Sequence, residues 1–173
     1  LELANNLITD LPPLNGLASL SYLDVSNNQI RKGEAFVDIP QLTDLLIRGN
    51  FLTDISFANS LATLSFLDAS DNPLGELGNV SDSSLYELRL TQSKLDEVDT
   101  GRLPASLGRL YLDNNHIQTM DVLLTHYLQD GGANLFVYAS GNPLLCSQQD
   151  FLLNTSGITA ISLPVTCQED FDS

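Results

Sequence analysis

One sequence motif of fixed internal spacing, the repeated phrase of this chain, recurs along most of its length. In its most complete copy, Leu107 is followed by Leu110, Leu112, Asn115 and Ile117, which reads L-x-x-L-x-L-x-x-N-x-I. The asparagine slot recurs at positions 6, 28, 50, 72, 93, 115 and 142, with serine at 93, so the steps are 22, 22, 22, 21, 22 and 27. A period in this range is the signature of a solenoid, in which each structural unit stacks on the one before it.

Each part of the phrase predicts a local structure. The L-x-L alternation has a period of two, which predicts a short strand with one buried face. The asparagine follows where the chain turns, and its side-chain amide can bond backbone groups there, so stacked copies predict an asparagine ladder. Ser93 can make only part of that bonding, and we expect a local irregularity in its repeat. Apolar residues after the asparagine, such as Leu11, Leu14 and Leu17, fall every third position, which is typical of 3₁₀ turns.

The repeated phrase resembles the leucine-rich repeat family, and in particular its subclass with repeats of about 22 residues. About seven copies, the first partial, cover residues 1–144, and residues 145–173 are expected to form a C-terminal cap and an acidic tail. The resemblance implies an α/β solenoid, an arc with a parallel β-sheet on its concave side and 3₁₀ turns on its outer side. Members of the family mostly bind proteins or peptides on the concave side, and the resemblance implies the same role here.

The long step of 27 residues predicts a helix. Apolar side chains recur there at helical spacing, which places one α-helix near residues 120–130 in the position of an outer turn. Gly131 and Gly132 would end it. The residues of this apolar stripe are Met120, Leu123, Leu124, Tyr127 and Leu128.

The end of the array contains both cysteines of the chain. The run from Asn142 to Cys146 reads N-P-L-L-C, and Cys167 follows a later apolar segment. This resembles the cysteine-bearing C-terminal cap of extracellular leucine-rich repeat proteins, but Gln148 stands where a second cysteine would be and none follows Cys167. The resemblance therefore implies a single Cys146–Cys167 disulfide and an extracellular or cell-surface location. Two reduced thiols in a cytoplasmic protein are the alternative.

The charge of the chain excludes two classes of partner. Its 22 acidic and 7 basic residues give a net charge of -15, which argues against nucleic acid and anionic membranes, because both require positive charge. No apolar run reaches the ~18 residues that span a bilayer, so we expect no membrane insertion of this segment. The chain opens inside a repeat, and we expect it to belong to a longer protein. Two sequons, at Asn79 and Asn154, are candidate glycosylation sites.

Catalytic and metal-binding motifs are not found in the sequence. His116 and His126 are ten residues apart and have no cysteine or paired histidine at ligand spacing, which argues against a zinc site. No glycine-rich phosphate loop and no local nucleophile motif is present. We therefore expect no enzymatic activity, no cofactor and no metal.

The exposed positions of the strands define a candidate binding face. In x-L-x-L-x the leucines point into the core and the x residues point onto the concave surface, where stacked copies form columns. The first column contains Tyr22, Asp44, Phe66, Glu87, Arg109 and Phe136. The second contains Glu2, Asp24, Leu46, Asp68, Arg89, Tyr111 and Tyr138. The third contains Ala4, Ser26, Arg48, Ser70, Thr91, Asp113 and Ser140.

Aromatic and arginine side chains anchor protein interfaces, and several stand in these columns. The sequence therefore predicts a protein or peptide ligand on the concave face of an ectodomain. An intracellular scaffold or phosphatase-regulator type is the alternative, and a homodimer through the concave face or the N-terminal edge is a third. The residues predicted to bind the ligand are Tyr22, Arg48, Phe66, Asp68, Arg89, Arg109, Tyr111, Asp113, Phe136 and Tyr138.

Overall fold

A parallel sheet of seven short strands runs through the computed structural model, which describes residues 1–37, 39–120, 135–154 and 158–169. The strand order is β1-β2-β3-β4-β6-β8-β9, so neighbours in the sheet are successive repeats of the chain. Leu23 lies opposite Leu45, and Leu45 lies opposite Leu67, because each repeat advances the chain by one strand. The strands of this sheet are β1 (Tyr22–Asp24), β2 (Asp44–Leu46), β3 (Phe66–Asp68), β4 (Glu87–Arg89), β6 (Arg109–Tyr111), β8 (Leu135–Tyr138) and β9 (Ile158–Ser162).

The inward side chains of the strands form the centre of the core. They are fully buried in every repeat with a complete strand, and burial of one leucine contributes roughly 1.5–3 kcal/mol relative to exposure. A single repeat could not bury them, so the stack of neighbours supplies the stability. The central residues of the successive strands are Leu23, Leu45, Leu67, Leu88, Leu110 and Val137.

The outer side contains short 3₁₀ segments, as predicted. They are η1 (Glu34–Phe36), η2 (Ser56–Ser60) and η3 (Thr100–Arg102). Two further strands, β5 (Glu97–Val98) and β7 (Thr119–Met120), pair in parallel as a separate small sheet that the sequence did not predict. Met120 belongs to β7, so it is not part of a helix. The remainder of the predicted helix falls within residues 121–134, outside the described residues.

Asparagine side chains form the predicted ladder beside the sheet. Asn50 Oδ1 accepts a hydrogen bond of 3.0 Å from the backbone N–H of Ile30, and Asn50 Nδ2 donates to Ile47 O at 2.9 Å and Val25 O at 3.0 Å. Each such asparagine therefore joins its own turn to the preceding repeat and satisfies buried backbone groups of both. The same three bonds are made by Asn28, Asn72, Asn115 and Asn142.

The serine position interrupts this ladder, which confirms the expected irregularity. Ser93 is fully buried, but its hydroxyl lies 3.4 Å from Ala69 O and 3.4 Å from Thr91 O, at the limit of a hydrogen bond. The shorter side chain gives the backbone N–H of Leu74 no acceptor of the kind that asparagine offers. That N–H instead donates to Asn72 O at 2.9 Å.

The residue before each ladder position has a left-handed backbone. In these seven residues φ lies between 54° and 71°, a region that asparagine, aspartate and glycine tolerate best. Gly49 adopts this backbone without strain, and an added Cβ there would also lie 2.4 Å from Asn27 Oδ1, so the Asn27 side chain would have to shift. The seven residues are Asn5, Asn27, Gly49, Asp71, Gln92, Asn114 and Gly141.

The C-terminal end of the stack is closed by a helix, a strand and a disulfide. Helix α1 (Cys146–Asn154) packs the buried Leu152 against the core, and β9 extends the sheet. The predicted Cys146–Cys167 disulfide is confirmed, with a Cα–Cα distance of 4.9 Å. Across the described ranges no helix has the length and apolar character to cross a membrane. The division into repeats and cap after residue 144 stays a prediction.

Candidate functional site

The concave columns predicted from the alignment of the repeats are formed by the sheet. Tyr22 pairs with Asp44, and Arg109 pairs with Phe136, so the first column runs across six strands in register. The second column follows the same register, and Glu2 joins it through a bridge to Asp24. These side chains alternate with the buried leucines and stand on the opposite face of the sheet.

Four flat side chains are stacked across neighbouring strands of this face. The guanidinium carbon of Arg89 lies 5.1 Å from the ring centroid of Phe66 and 4.9 Å from that of Tyr111. Tyr111 in turn stacks on Tyr138, with centroids 4.2 Å apart and planes inclined by 6°. Parallel strands are about 4.8 Å apart, so Arg89, Tyr111 and Tyr138, which are in register, fall at stacking distance. Phe66 is in register with Glu87 and reaches Arg89 diagonally. We call Phe66, Arg89, Tyr111 and Tyr138 the concave stack.

Glu87 connects the concave stack to a second arginine. Its Oε1 accepts a hydrogen bond of 2.8 Å from Arg89 Nε, and its Oε2 accepts one of 3.3 Å from Arg109 Nη1. Only 8% of Glu87 is exposed. The hydrogen bond to this carboxylate raises the pKa of Arg109 above its ordinary value. One buried carboxylate thus fixes the positions of two guanidinium groups that are themselves about half exposed.

The concave stack is half-buried, and its side chains contact one another without any partner. Burial is the largest cause of the raised pKa of Tyr111. The hydrogen bond of Tyr111 to Tyr138 and the charge of Glu87 raise this pKa further, so the phenol is neutral at physiological pH. Because the rings and the guanidinium cover one another's faces, the stack presents ring edges, hydroxyls and guanidinium N–H groups to solvent. Side chains with such contacts lose less entropy on binding than side chains free in solvent, which favours affinity.

Three of the predicted residues are held by neighbours outside the stack. Arg48 Nε donates to Asp71 Oδ2 at 2.7 Å. Asp68 is 9% exposed, and its Oδ1 accepts the backbone N–H of Ser70 at 3.0 Å. Asp113 Oδ1 likewise accepts the backbone N–H of Ser140 at 2.9 Å. These side chains hold neighbouring backbone and charge in place, and Asp68 offers little surface to a ligand.

Tyr22 lies far from the concave stack, at the N-terminal end of the sheet. It is 38% exposed. Strand register places Tyr22 beside Asp44, and Glu2 beside Asp24. Desolvation, followed by the carboxylates of Asp24, Glu2 and Asp44, raises the pKa of Tyr22 above its ordinary value. Tyr22 is therefore separated from the other predicted aromatic residues and from Arg89 and Arg109, which lie on β3 to β8.

Two contributing residues were not among the predicted ligand-binding residues. Glu87 stood in the first column but was not selected. Tyr86 precedes it and lies outside the three columns, yet its ring is 44% exposed and lies 5.8 Å from the guanidinium carbon of Arg109. Gly108 permits this position, since a Cβ there would lie 2.4 Å from the Tyr86 ring.

A metal centre is not formed by the described part of the chain, where no three histidine, cysteine, aspartate or glutamate side chains converge. His116 Nδ1 lies 3.6 Å from Asp96 Oδ1, and both side chains are well exposed. The contacts on the concave face are therefore the ring stacking of the concave stack and the ion pairs of Glu87 with Arg89 and Arg109.

Comparison with known proteins identifies the architecture. A family model for leucine-rich repeats (two copies) matches residues 1–32. The chain is similar to the structure of a leucine-rich repeat protein of Leptospira interrogans, at 23% identity and a TM-score of 0.57, over 99% of this chain and 36% of that one. It is also similar to internalin C2 from Listeria monocytogenes, at 20% identity and a TM-score of 0.54, over 82% of this chain and 74% of that one.

These likenesses show the fold and confirm the leucine-rich repeat prediction made from the sequence. The chain spans about a third of the length of the Leptospira protein, with 36% of that protein covered. No curated protein sequence gives a significant match.

Proposed function

We propose that this chain, a leucine-rich repeat solenoid, is a recognition module that binds a protein or peptide through the concave face of its sheet. The observation that supports this most strongly is the concave stack, with Glu87 holding Arg89 and Arg109 beneath it. Nothing in the repeat requires aromatic or arginine side chains at these positions, since the backbone bonds of the sheet are made without them. Aromatic and arginine residues are also the types that supply most of the binding energy at interfaces.

The shape of the stack favours a protein partner. It extends over four neighbouring strands, β3, β4, β6 and β8, so it presents about 15 Å of continuous contact surface at the usual strand spacing. Its ring faces are covered, whereas its edges and N–H groups remain available, a combination that suits mixed apolar and polar contacts. A partner that buries this surface would desolvate the ion pairs around Glu87 and strengthen them.

We also propose that the module works outside the cytoplasm. The Cys146–Cys167 disulfide supports this, because such bonds persist in oxidising compartments and are rare among cytosolic proteins. Asn79 and Asn154 are both exposed, so either could accept a glycan on the surface. Intact-mass spectrometry under non-reducing conditions, on protein purified with thiols blocked at lysis, tests the compartment. Alkylation of both cysteines would favour an intracellular scaffold.

Affinity capture with a concave-face variant and an outer-side variant tests the binding face. The wild-type protein, an Arg89→Glu/Tyr111→Ala variant and an outer-side control, Glu34→Lys/Glu97→Lys, would be used on the same extract, with captured proteins quantified by mass spectrometry. We expect a partner that the wild type and the control capture equally and the concave variant captures at least tenfold less. Equal capture by all three proteins would remove the concave face as the binding site.

A further inference from the structure

The charged side chains of the concave face differ between its two ends. In the first two columns, the positions from Glu2 to β3 contain four carboxylates and no cation: Glu2, Asp24, Asp44 and Asp68. On β4 and β6 the same columns contain two guanidinium groups and one carboxylate, which is the nearly buried Glu87. Arg48, in the third column, is already paired with Asp71 at 2.7 Å. The face is therefore acidic at one end, and at the other, which we call the basic end, two arginines are balanced by Glu87 and by Asp113 of the third column. The protein as a whole has a net charge of -15.

The basic end shows how this sheet holds a guanidinium group. Arg89 lies between two rings and is bonded to a carboxylate two residues before it on the same strand. A ring and a carboxylate together satisfy a guanidinium, because the ring face attracts the cation and the carboxylate accepts its N–H groups. The chain thus supplies its own cation at this end.

The acidic end provides the same two groups without a basic side chain, although the terminal amino group of Leu1 donates to the backbone carbonyl of Tyr22 at 2.8 Å. Tyr22 is 38% exposed, with Glu2, Asp24 and Asp44 around it. Among the described residues, no arginine or lysine side chain lies over its ring, although all seven basic residues of the chain belong to that part. One oxygen of Asp24 accepts the N–H of Ser26, and one of Asp44 accepts the hydroxyl of Thr43, which leaves further acceptor capacity on both.

We infer that the partner is a bipolar protein segment that lies across the sheet, with a lysine or arginine over Tyr22 and Asp44 and a carboxylate at Arg109. This inference rests on the proposed function and names the chemistry and orientation of its ligand. Charge complementarity fixes the orientation, because the reverse arrangement would bring like charges together at both ends. Uniformly cationic segments satisfy only one end, and uniformly acidic ones are repelled by the protein as a whole.

The spacing of the two charges follows from the sheet. From β1 to β6 there are four strand intervals of about 4.8 Å, or about 19 Å. An extended peptide rises about 3.3 Å per residue, so about six residues separate the two charged groups of the partner. The intervening residues of the partner would cross Phe66 and Arg89 of the concave stack.

Synthetic peptides of defined charge test this inference directly. The bipolar probe has two arginines, about six neutral residues and two glutamates, made in both chain directions. The cationic probe replaces the glutamates by glutamine. Binding would be measured by fluorescence anisotropy for the wild type, for Glu2→Lys/Asp44→Lys, for Arg109→Glu, for Arg89→Glu/Tyr111→Ala and for the outer-side control Glu34→Lys/Glu97→Lys.

We expect the bipolar probe to bind the wild type about tenfold more tightly than the cationic probe. The Glu2→Lys/Asp44→Lys variant should weaken both probes, whereas Arg109→Glu should weaken the bipolar probe alone. A third probe, with lysine in place of the glutamates, should recover binding to Arg109→Glu. The outer-side control carries the same change in charge as Glu2→Lys/Asp44→Lys, so it should lose much less affinity.

Equal affinity for the bipolar and cationic probes, with no effect of Arg109→Glu, would overturn the inference. If Arg89→Glu/Tyr111→Ala still weakened binding, the concave face would remain the proposed binding site. No measurable binding of the bipolar probe at about 1 mM would also overturn the inference, and affinity capture would test the proposed function independently. Probe affinities that changed only in the outer-side control would overturn both.

Discussion

The asparagine ladder and the concave stack lie on the same repeats but are built in different ways. Asn50, Asn72 and their equivalents are almost fully buried, and each bonds the backbone of two repeats through the same three contacts. Arg89 and Tyr111 are half-exposed, and the stacking and ion-pair contacts described for them are made to other side chains. The ladder is repeated because the backbone requires it, whereas the stack occurs once. We therefore expect substitutions in the ladder to change stability and substitutions in the stack to change binding.

The largest effect is expected at Asn72. Replacement by alanine leaves the N–H of Leu52 and the carbonyls of Ile47 and Ala69 without their buried partner, at a cost of about 4 kcal/mol in the free energy of unfolding. Ser93→Ala is the matched control in the same column. Its hydroxyl contacts are 3.4 Å long, so we expect a loss of less than ~1 kcal/mol. Urea denaturation measures both, and equal losses would show that the ladder contacts do not set stability.

A smaller loss is expected where the turn before the ladder requires glycine. Gly49 has φ of +66°, and an added Cβ would lie 2.4 Å from Asn27 Oδ1, so Gly49→Ala should cost about 2 kcal/mol. Gly16→Ala is the control, because nothing lies within 4 Å of a Cβ at that position. Thermal unfolding followed by circular dichroism compares them. A Gly49→Ala protein as stable as Gly16→Ala would mean that the turn relaxes without strain.

Much of this architecture could be predicted from the sequence because the buried positions repeat. Leucine and asparagine slots recur at fixed steps, so they determine the strands, their register and the ladder, and Ser93 was recognised as an exception from its residue type alone. The left-handed residues were missed, although Asn27, Gly49 and Asp71 are the types that such a backbone favours. The short outer strands β5 and β7 carry too few residues for a periodic signal.

The concave site was only partly predictable, because its geometry depends on contacts between repeats. Alignment of the copies placed Arg89 and Tyr111 in one column. It could not show that the Arg89 guanidinium lies between two rings. It also could not show that Glu87 accepts from two arginines, or that Asp68 is held by a backbone N–H. Exposed positions differ from repeat to repeat. The periodicity of the sequence therefore does not predict which exposed side chains contact one another.

Arg89→Ala should sharpen the contrast with the ladder. The Arg89 side chain is 42% exposed, and Glu87 keeps its hydrogen bond to Arg109 in this variant. We therefore expect the free energy of unfolding to change by about 1 kcal/mol or less. Capture of the partner should nevertheless fall strongly. Arg89→Lys retains the charge but loses the planar group that stacks on the rings, and we expect intermediate capture. If Arg89→Ala instead unfolded the protein as readily as Asn72→Ala, the stack would be structural.

The smallest effect concerns the titration of tyrosine. Because the folded protein raises the pKa of Tyr111 above 10.0, it holds this proton more tightly than the unfolded chain does. The corresponding stability is present below pH 10.0 and is lost as the pH rises through the folded value. Ultraviolet titration of tyrosinate should show a late step that Tyr111→Phe removes. An unchanged titration in that variant would argue against a half-buried phenol at this position.

Hydroxyl-radical footprinting of the captured complex tests the central claim most directly, because it reports the solvent contact of each aromatic side chain. In the free protein we expect Phe66, Tyr111 and Tyr138 to react moderately, and Phe51, which is 45% exposed outside the concave columns, to react more. In the complex the concave residues should become protected while Phe51 is unchanged. Protection of Phe51 with no change at Tyr111 and Tyr138 would contradict a concave binding face.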